Sequence, residues 1–309
     1  MKNKTVLITG ITGLIGSELA RALHSRGWVI YSLSTREKLP EAIAPLVTAL
    51  LTWDKRYTIN RPELLRDVAA VVHLAGANVA GKRWNAAYKQ EILESRTRST
   101  EALYSAFRSL GAFPSVFVGA SATGFYGSRE DETLTEASAK GQGFLSDVCI
   151  AWEEAAKQFS EAGSRWVGFR TGIIMSTKGG ALPQMLLPFR LFVGGPLGSG
   201  QQWFSWISLD DAVAAFVQAL EEPSFAGIYN LVAPVPLRMG ELARAMGKTM
   251  HRPSFFPVPG FVLRLVMGES AFEITKSQRV LPERLSAANF QFKHPEIGSA
   301  LGEIIAGGR

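Results

Sequence analysis

The sequence predicts an α/β fold: a doubly wound parallel sheet with a smaller C-terminal substrate lobe. Three observations predict it. Short apolar, β-branched runs alternate with helical patterns from Val6 to Val232, as strands joined by crossover helices do. A glycine-rich turn, Gly10-Ile11-Thr12-Gly13-Leu14-Ile15-Gly16, separates the first apolar run from the first helical one. From Lys178 to Trp206 the alternation breaks into Gly, Pro and aromatic residues, and a long irregular stretch inside a compact domain is usually functional.

The first strand is Val6-Leu7-Ile8, a continuous apolar run of the kind a strand buried on both faces requires. Ser17–His24 reads as an amphipathic helix, ended by Gly27. A second strand follows over Trp28–Ser34, and together these make the mononucleotide-binding unit of a Rossmann sheet. Gly10 lets the chain turn off the strand, Gly13 lets backbone approach a pyrophosphate, and Gly16 lets the helix pack on the sheet. The helix N-terminus offers free N–H groups and a positive dipole end to phosphates. Thr12, Leu14 and Ile15 share this turn and join the glycines as candidate cofactor contacts.

Further strands are expected at Val47–Leu51, Val71–Ala75, Val116–Ala120, Trp166–Thr171 and Ile228–Val232. Helices are expected at Glu63–Arg66, Tyr88–Ser109, Ser146–Glu161 and Asp210–Glu221. After Pro234 the chain turns helical without a clear strand. Residues 1–177 with 206–234 are therefore assigned to the nucleotide-binding domain. Residues 178–205 with 235–309 are assigned to a cap over the carboxyl edge of the sheet, where ligands bind in such folds.

The end of the second strand reads on cofactor choice. An acid there binds the ribose 2′-hydroxyl of NAD, whereas a cation receives the 2′-phosphate of NADP. This strand ends Ser34-Thr35-Arg36 with no acid, and Arg suits bidentate phosphate contacts. The expected cofactor is NADP(H), although Glu37 follows at once and leaves a solvated turn charge as the competing reading. Asp54 is a candidate adenine-side acceptor, and the small residues of Leu74-Ala75-Gly76 would let backbone lie against the adenosine ribose.

Composition excludes several classes. The one cysteine, Cys149, cannot build a disulfide framework or a cysteine-ligated metal cluster, and fits a reducing, cytoplasmic setting. His24, His73, His251 and His294 are scattered without metal-ligand spacing, so no metal is expected. The net charge of +6 is modest and suits an anionic ligand. No basic block interleaved with aromatics points to nucleic acid. The first strand begins too early for a signal peptide. No apolar run reaches membrane-spanning length, and Gly260–Met267 reads as a core helix rather than a membrane contact. The expected partner is a small-molecule substrate, with the chain a monomer or a homodimer through its two long helices.

The spacing Thr9-Gly10-x-x-Gly13-x-x-Gly16 resembles that of the extended short-chain dehydrogenase/reductases. Later stretches resemble one atypical subfamily, whose members are often called epimerase family proteins and sometimes cell-division inhibitors. Those stretches include Arg83-Trp84-Asn85 with Ser95-Arg96, Gly119–Gly127, Trp152-Glu153, Arg170-Thr171-Gly172, Gly194–Gly200, Trp206-Ile207, His251-Arg252-Pro253 and Gly268-Glu269. The resemblance covers nearly the whole chain. It implies NADP(H) binding at an oxidoreductase-type site of unassigned substrate, with Glu91 and Arg96 facing the cofactor and Ile174 near the nicotinamide. One departure is Ser208, where those proteins usually carry His.

Ordinary short-chain dehydrogenases use Ser, Tyr and a Lys four residues after the Tyr, which lowers the Tyr pKa. No Tyr in this chain has Lys at that spacing. Counting back from Trp152-Glu153, the Tyr falls near Leu145 or Ser146, and the Lys near Cys149 or Ile150. Ser121 and Thr123, at the carboxyl end of the fifth strand, remain candidate catalytic residues, with strand-end bonding to backbone as the alternative. Tyr126 is the best remaining proton donor, with a packed aromatic as its alternative. Cys149 falls on the apolar stripe Leu145, Val148, Trp152, Ala155, Phe159 and reads as a small core residue. Two functions follow: an NADP(H)-dependent oxidoreductase or epimerase lacking the Tyr-x-x-x-Lys pair, or a non-catalytic NADP(H)-binding regulatory protein linked to cell division.

Overall fold

Every strand expected between Val6 and Val232 joins one parallel sheet. The computed structural model describes residues 4–307. The first half comprises β1 (Thr5–Thr9), α1 (Leu14–Ser25), β2 (Val29–Ser34), β3 (Ala49–Thr52), β4 (Ala70–His73), α2 (Ala86–Leu110) and β5 (Val116–Ala122). A short β6 (Thr133–Leu134) precedes α3 (Phe144–Glu161), β7 (Arg165–Thr171) and β8 (Ile173–Met175). Next come α4 (Leu182–Arg190), β9 (Trp203–Phe204), β10 (Trp206–Ser208), α5 (Leu209–Glu221) and β11 (Gly227–Leu231). The remainder is β12 (Leu237–Arg238), α6 (Met239–Met250), α7 (Gly260–Met267), α8 (Ala271–Thr275), β13 (Arg279–Val280), α9 (Glu283–Ala287) and α10 (Ile297–Ala306).

The main sheet runs β11-β7-β5-β4-β1-β2-β3, all parallel. Strand order reverses between β1 and β4, the place where such sheets open a ligand crevice. Alternate side chains feed two cores, as a sheet covered on both faces demands. Val6, Ile8, Val72, Val118 and Phe169 pack with Leu19 and Leu23 of α1 and Phe216 of α5. Leu7, Leu33, Val71 and Phe117 point the other way, onto Leu103 and Phe107 of α2 and Phe159 of α3.

Local chemistry sets the helix ends. The Asn85 side chain accepts from Tyr88 N at the start of α2, and Gly111 closes that helix in the left-handed region. Ser208 caps α5: its Oγ accepts from Asp211 N and donates to Asp211 Oδ2.

Three differences from the expected outline have physical causes. The stretch from Lys178 to Trp206 contains α4, whose Leu182, Leu186 and Phe189 are buried at helical spacing. Its prolines disguised it, yet Pro183 sits in the first turn, where no backbone donor is lost. The C-terminal segment does form strands, but only two-residue ones. β12 pairs antiparallel with β9, and β13 pairs parallel with β6. The segment also returns to the main sheet, where Leu285 and Phe290 join the α1–α5 core. A separate cluster of Leu182, Leu186, Phe189, Leu242, Met246 and Leu301 ties α4, α6 and α10 together. Finally, α7 buries Leu263 but exposes Phe261 and Leu265, so it is not the core helix its composition suggested. Among the described residues no helix is long and apolar enough to cross a membrane.

A buried polar strut fixes the crevice. Thr9 Oγ1 accepts from both Leu74 N and Ala75 N, at 3.1 and 3.0 Å. With both lone pairs used, its hydrogen goes to His73 Nδ1 at 2.8 Å. His73 therefore carries its hydrogen on Nε2 and donates to Ser99 Oγ at 3.1 Å, and Ser99 donates on to Ser95 O. Burial, aided by the nearby Arg96 charge, pushes the His73 pKa down to about 3. The unfolded chain takes up this proton near pH 6.5 while the native chain does not. Stability is thus lost as pH falls from about 6.5 toward 3. His73→Gln keeps one donor and one acceptor but cannot titrate. In urea melts at pH 7.5 and 5, the variant should lose about 2 kcal/mol less than the parent between those pH values. Parallel losses would mean that His73 already titrates normally in the fold.

Candidate functional site

The three glycines of the turn do different work. Gly10, at φ +68°, lies flat on the loop after β4, where an added Cβ would stand 2.9 Å from Leu74 C. Gly16 is tighter still, its Cβ falling 2.3 Å from Gly10 O. Gly13 is unlike either. It has an ordinary extended conformation, an added Cβ there would meet Gly10 O at 3.1 Å, and its outer side is exposed. As the N-cap of α1 it supplies no side-chain cap. The first-turn N–H groups are left for a ligand.

Thr12 is exposed beside them, and Leu14 and Ile15 are half-buried. Leu14 also touches the far wall of the crevice, since a Cβ on Gly180 would meet Leu14 Cδ2 at 3.2 Å. Ile174, half-buried in β8, packs against the α1–α5 core next to that wall. On the opposite side Arg96 reaches from α2 to Gly76, where a Cβ would lie 3.1 Å from Arg96 Cζ. Its guanidinium stacks 5.0 Å from the Trp152 ring centroid and donates to Ile92 O. Among the described residues it has no carboxylate partner, although burial presses its pKa downward. A half-buried cation without an anion, facing a glycine loop across an uncapped helix start, fits a dinucleotide.

The other expected contacts divide. Thr35 and Arg36 are exposed at the end of β2; the Arg36 backbone N–H bonds Ser34 Oγ, and its guanidinium makes no ion pair among the described residues. Asp54 is exposed. Its Oδ1 accepts from Arg56 N and Thr58 N, and those bonds hold it below the usual carboxylate range. Glu91 does not join Arg96: it is exposed and pairs with Lys82 at 3.2 Å, because five residues turn it to another face of α2.

At the carboxyl end of β5, Ser121 Oγ donates to Glu153 Oε1 at 2.7 Å. Glu153 is gripped by Arg170, from Nε to Oε1 and from the terminal nitrogen to Oε2, both at 2.8 Å. Arg170 also donates to the Tyr126 hydroxyl at 3.0 Å, and that hydroxyl donates to Asn230 Oδ1 at 2.6 Å. Thr123 is buried beside Ser121, with its carbonyl bonded by Gln278. Tyr126 corrects the expectation of a proton donor facing the cleft. Its ring is fully buried, with Leu134, Val232 and Val280 around it, and burial raises its pKa. Near where the missing pair falls, Leu145 packs on Gly124, Ser146 Oγ donates to Phe125 O and Gly141 O, and Cys149 is buried against Ala122 O. Burial pushes the Cys149 thiol up to about 11. It is inert at neutral pH.

The chain was compared with known proteins once this geometry was in hand. Residues 6–231 match the NAD dependent epimerase/dehydratase family. The chain belongs to that family. Residues 258–304 match a domain of unknown function, DUF1731. An epimerase family protein of Mycobacterium bovis is 38% identical over 303 residues, covering 98% of each chain. A structure of the human epimerase family protein SDR39U1 with NADPH superposes with a TM-score of 0.84 at 32% identity, over 98% of this chain and 99% of that one. A nucleoside-diphosphate sugar epimerase from Corynebacterium glutamicum superposes at 0.77 and 32% identity, over 97% of this chain and 58% of that one. A nicotinamide nucleotide is the cofactor class that these relatives support.

Sequence reasoning gave no role to His73, Arg170, Asn230 or Lys276. Arg170 had a signal: a cation inside an apolar strand must be paired. Lys276 had none: it pairs with Glu273, and only the fold brings its Nζ within 3.7 Å of a Cβ on Gly143, at the start of α3. The cradle separates binding from folding. Gly13→Ala should keep its melting temperature while weakening NADPH binding about tenfold or more, by crowding the phosphate approach. Gly16→Ala should instead cost about 1–3 kcal/mol of stability, since the Gly10 carbonyl must move. Calorimetry and thermal melts of the two variants read both effects. A Gly13→Ala variant with normal affinity would place the phosphates elsewhere.

Proposed function

We propose that the chain is an NADP(H)-dependent oxidoreductase or epimerase acting on a small molecule, with Ser121 in place of the tyrosine as the group that meets the substrate oxygen. The Ser121–Glu153 hydrogen bond carries this reading. Ser121 gives its proton to Glu153, so its lone pairs are free to accept from a substrate hydroxyl. The bound dinucleotide would take up or supply the hydride. As the substrate oxygen loses its proton to Ser121 Oγ, the serine proton passes to Glu153 Oε1. Arg170 holds Glu153 in place through both carboxylate oxygens. Arg96 supplies positive charge on the Cys149 side of the cleft, where the absent lysine would have stood. The exposed Arg36 and the NADPH in the human relative's structure support NADP(H) over NAD(H).

A second reading has its own support. Tyr126 is sequestered, and neither Leu145–Ser146 nor Cys149–Ile150 supplies a Tyr or a Lys. A non-catalytic NADP(H)-binding regulatory protein would look the same. The two separate in an assay of NADPH oxidation against aldehydes, ketones and nucleotide sugars. The enzyme reading expects turnover that Ser121→Ala abolishes without loss of NADPH affinity; a silent panel, or an active Ser121→Ala, would favour the regulatory reading. In the same preparation Arg36→Ala should erase a preference for NADPH over NADH of about tenfold or more, the worth of one charge-assisted bond. Equal affinities in the parent would assign the chain to NAD(H).

A further inference from the structure

Two stretches of the chain contain no acid at all: Lys178–Trp206 and Leu242–Gly268. They carry six of the Lys and Arg residues, Lys178, Arg190, Arg244, Lys248, Arg252 and Arg264, which equals the net charge of the whole protein. The same two stretches hold a cluster of exposed apolar side chains. Leu187, Leu191, Phe192 and Val193 stand open at the end of α4. Phe255 and Phe256 stand open after α6, Phe255 at 70% exposure, followed by Phe261 at 71% and Leu265 at 75% on α7.

The fold joins them. Phe256 N donates to Gly194 O, Val258 N donates to Pro196 O, and Leu197 bridges to Val258, so the chain after α4 runs against the chain after α6. The Arg252 guanidinium lies 4.2 Å from the Phe192 ring centroid. Phe255 and Phe256 pack ring to ring at 4.5 Å. Beneath, the surface is anchored: Leu263 is buried, and Arg83 donates to Leu265 O. Arg190, Arg244, Lys248 and His251 are exposed in these stretches, while Lys178 turns aside to pair with Glu18.

We propose that this face docks the protein onto an anionic lipid surface. Open Phe and Leu side chains and cations, on two stretches that hold no acid of their own, are the composition of an interfacial anchor. A water-facing patch of a protein need not exclude acids, and a patch covered by a second copy would place the cations of each copy against the other's. An anionic headgroup layer satisfies both the apolar tips and the charge.

The test is co-sedimentation of the full chain with phosphatidylcholine vesicles, with and without 30 mole per cent phosphatidylglycerol as a probe, at about 0.1 M and 1 M salt. The parent should partition at least about tenfold better onto the anionic vesicles at low salt and lose that advantage at high salt, since each cation near such a surface strengthens binding roughly fivefold. Phe255→Ser with Phe256→Ser, and separately Arg190→Glu with Lys248→Glu, should each cut the bound fraction about fivefold or more while NADPH binding and melting temperature stay unchanged. Equal partition onto both vesicle types, no partition, or a dimer broken by the serine pair without vesicle binding would each overturn the proposal.

Discussion

The crevice depends on how closely β1 and β4 end together. Gly10 leaves no room for a side chain against Leu74 and Ala75. Thr9 then takes both of their N–H groups on one oxygen. That oxygen can do so only because its own proton has an acceptor, the unprotonated Nδ1 of His73. A charged imidazole would present two donors and no acceptor to Thr9, so the neutrality of His73 and the shape of the loop are one constraint. Through Ser99 the same chain of bonds reaches α2, the helix that carries Arg96. Cofactor loop, glycine turn and the half-buried cation are thereby set relative to one another by a dry polar strut.

The β5 end is organised by a different principle. Arg170 is buried near the carboxyl end of β7 and is tolerable only because Glu153 satisfies it from two oxygens and Tyr126 from a third. Removing one partner from such a network leaves a buried charge unmatched, which is why its members act as a set. Tyr126 is spent on that set and on Asn230, which also donates to Leu281 O. The network thus links the serine at the cleft to the returning C-terminal segment. A tyrosine with these duties has no free direction left for a substrate, and the serine is the one hydroxyl of the three whose bond leads from the cleft to a carboxylate.

Much of this was legible in the sequence. Seven strands could be placed because each is a short apolar run flanked by turn residues, and both faces of the sheet are covered. The glycine spacing located the cradle, since backbone crowding is a local requirement that only glycine meets. The side chains that face away from the cradle were not legible. Glu91 and Arg96 sit on one helix yet point apart, Glu91 to Lys82 and Arg96 to Gly76. Tyr126 stood in the right stretch, but its burial is imposed by β6, β11 and β13, elements too short or too distant to be read locally. Helix α4 hid behind Pro183 and Pro188, and the exposure of α7 could not be told from its apolar composition.

The cation that faces the glycine loop is where the cofactor assignment is most exposed to measurement. Titration of NADPH fluorescence should be compared for Arg96→Met and for Arg98→Met, whose guanidinium lies two residues on, exposed and paired with Glu94. Arg96→Met should weaken binding by about ten- to a hundredfold, the loss of one or more charge-assisted hydrogen bonds, while Arg98→Met binds like the parent. Unchanged affinity in Arg96→Met, or equal losses in both variants, would contradict a dinucleotide lying between the glycine turn and α2.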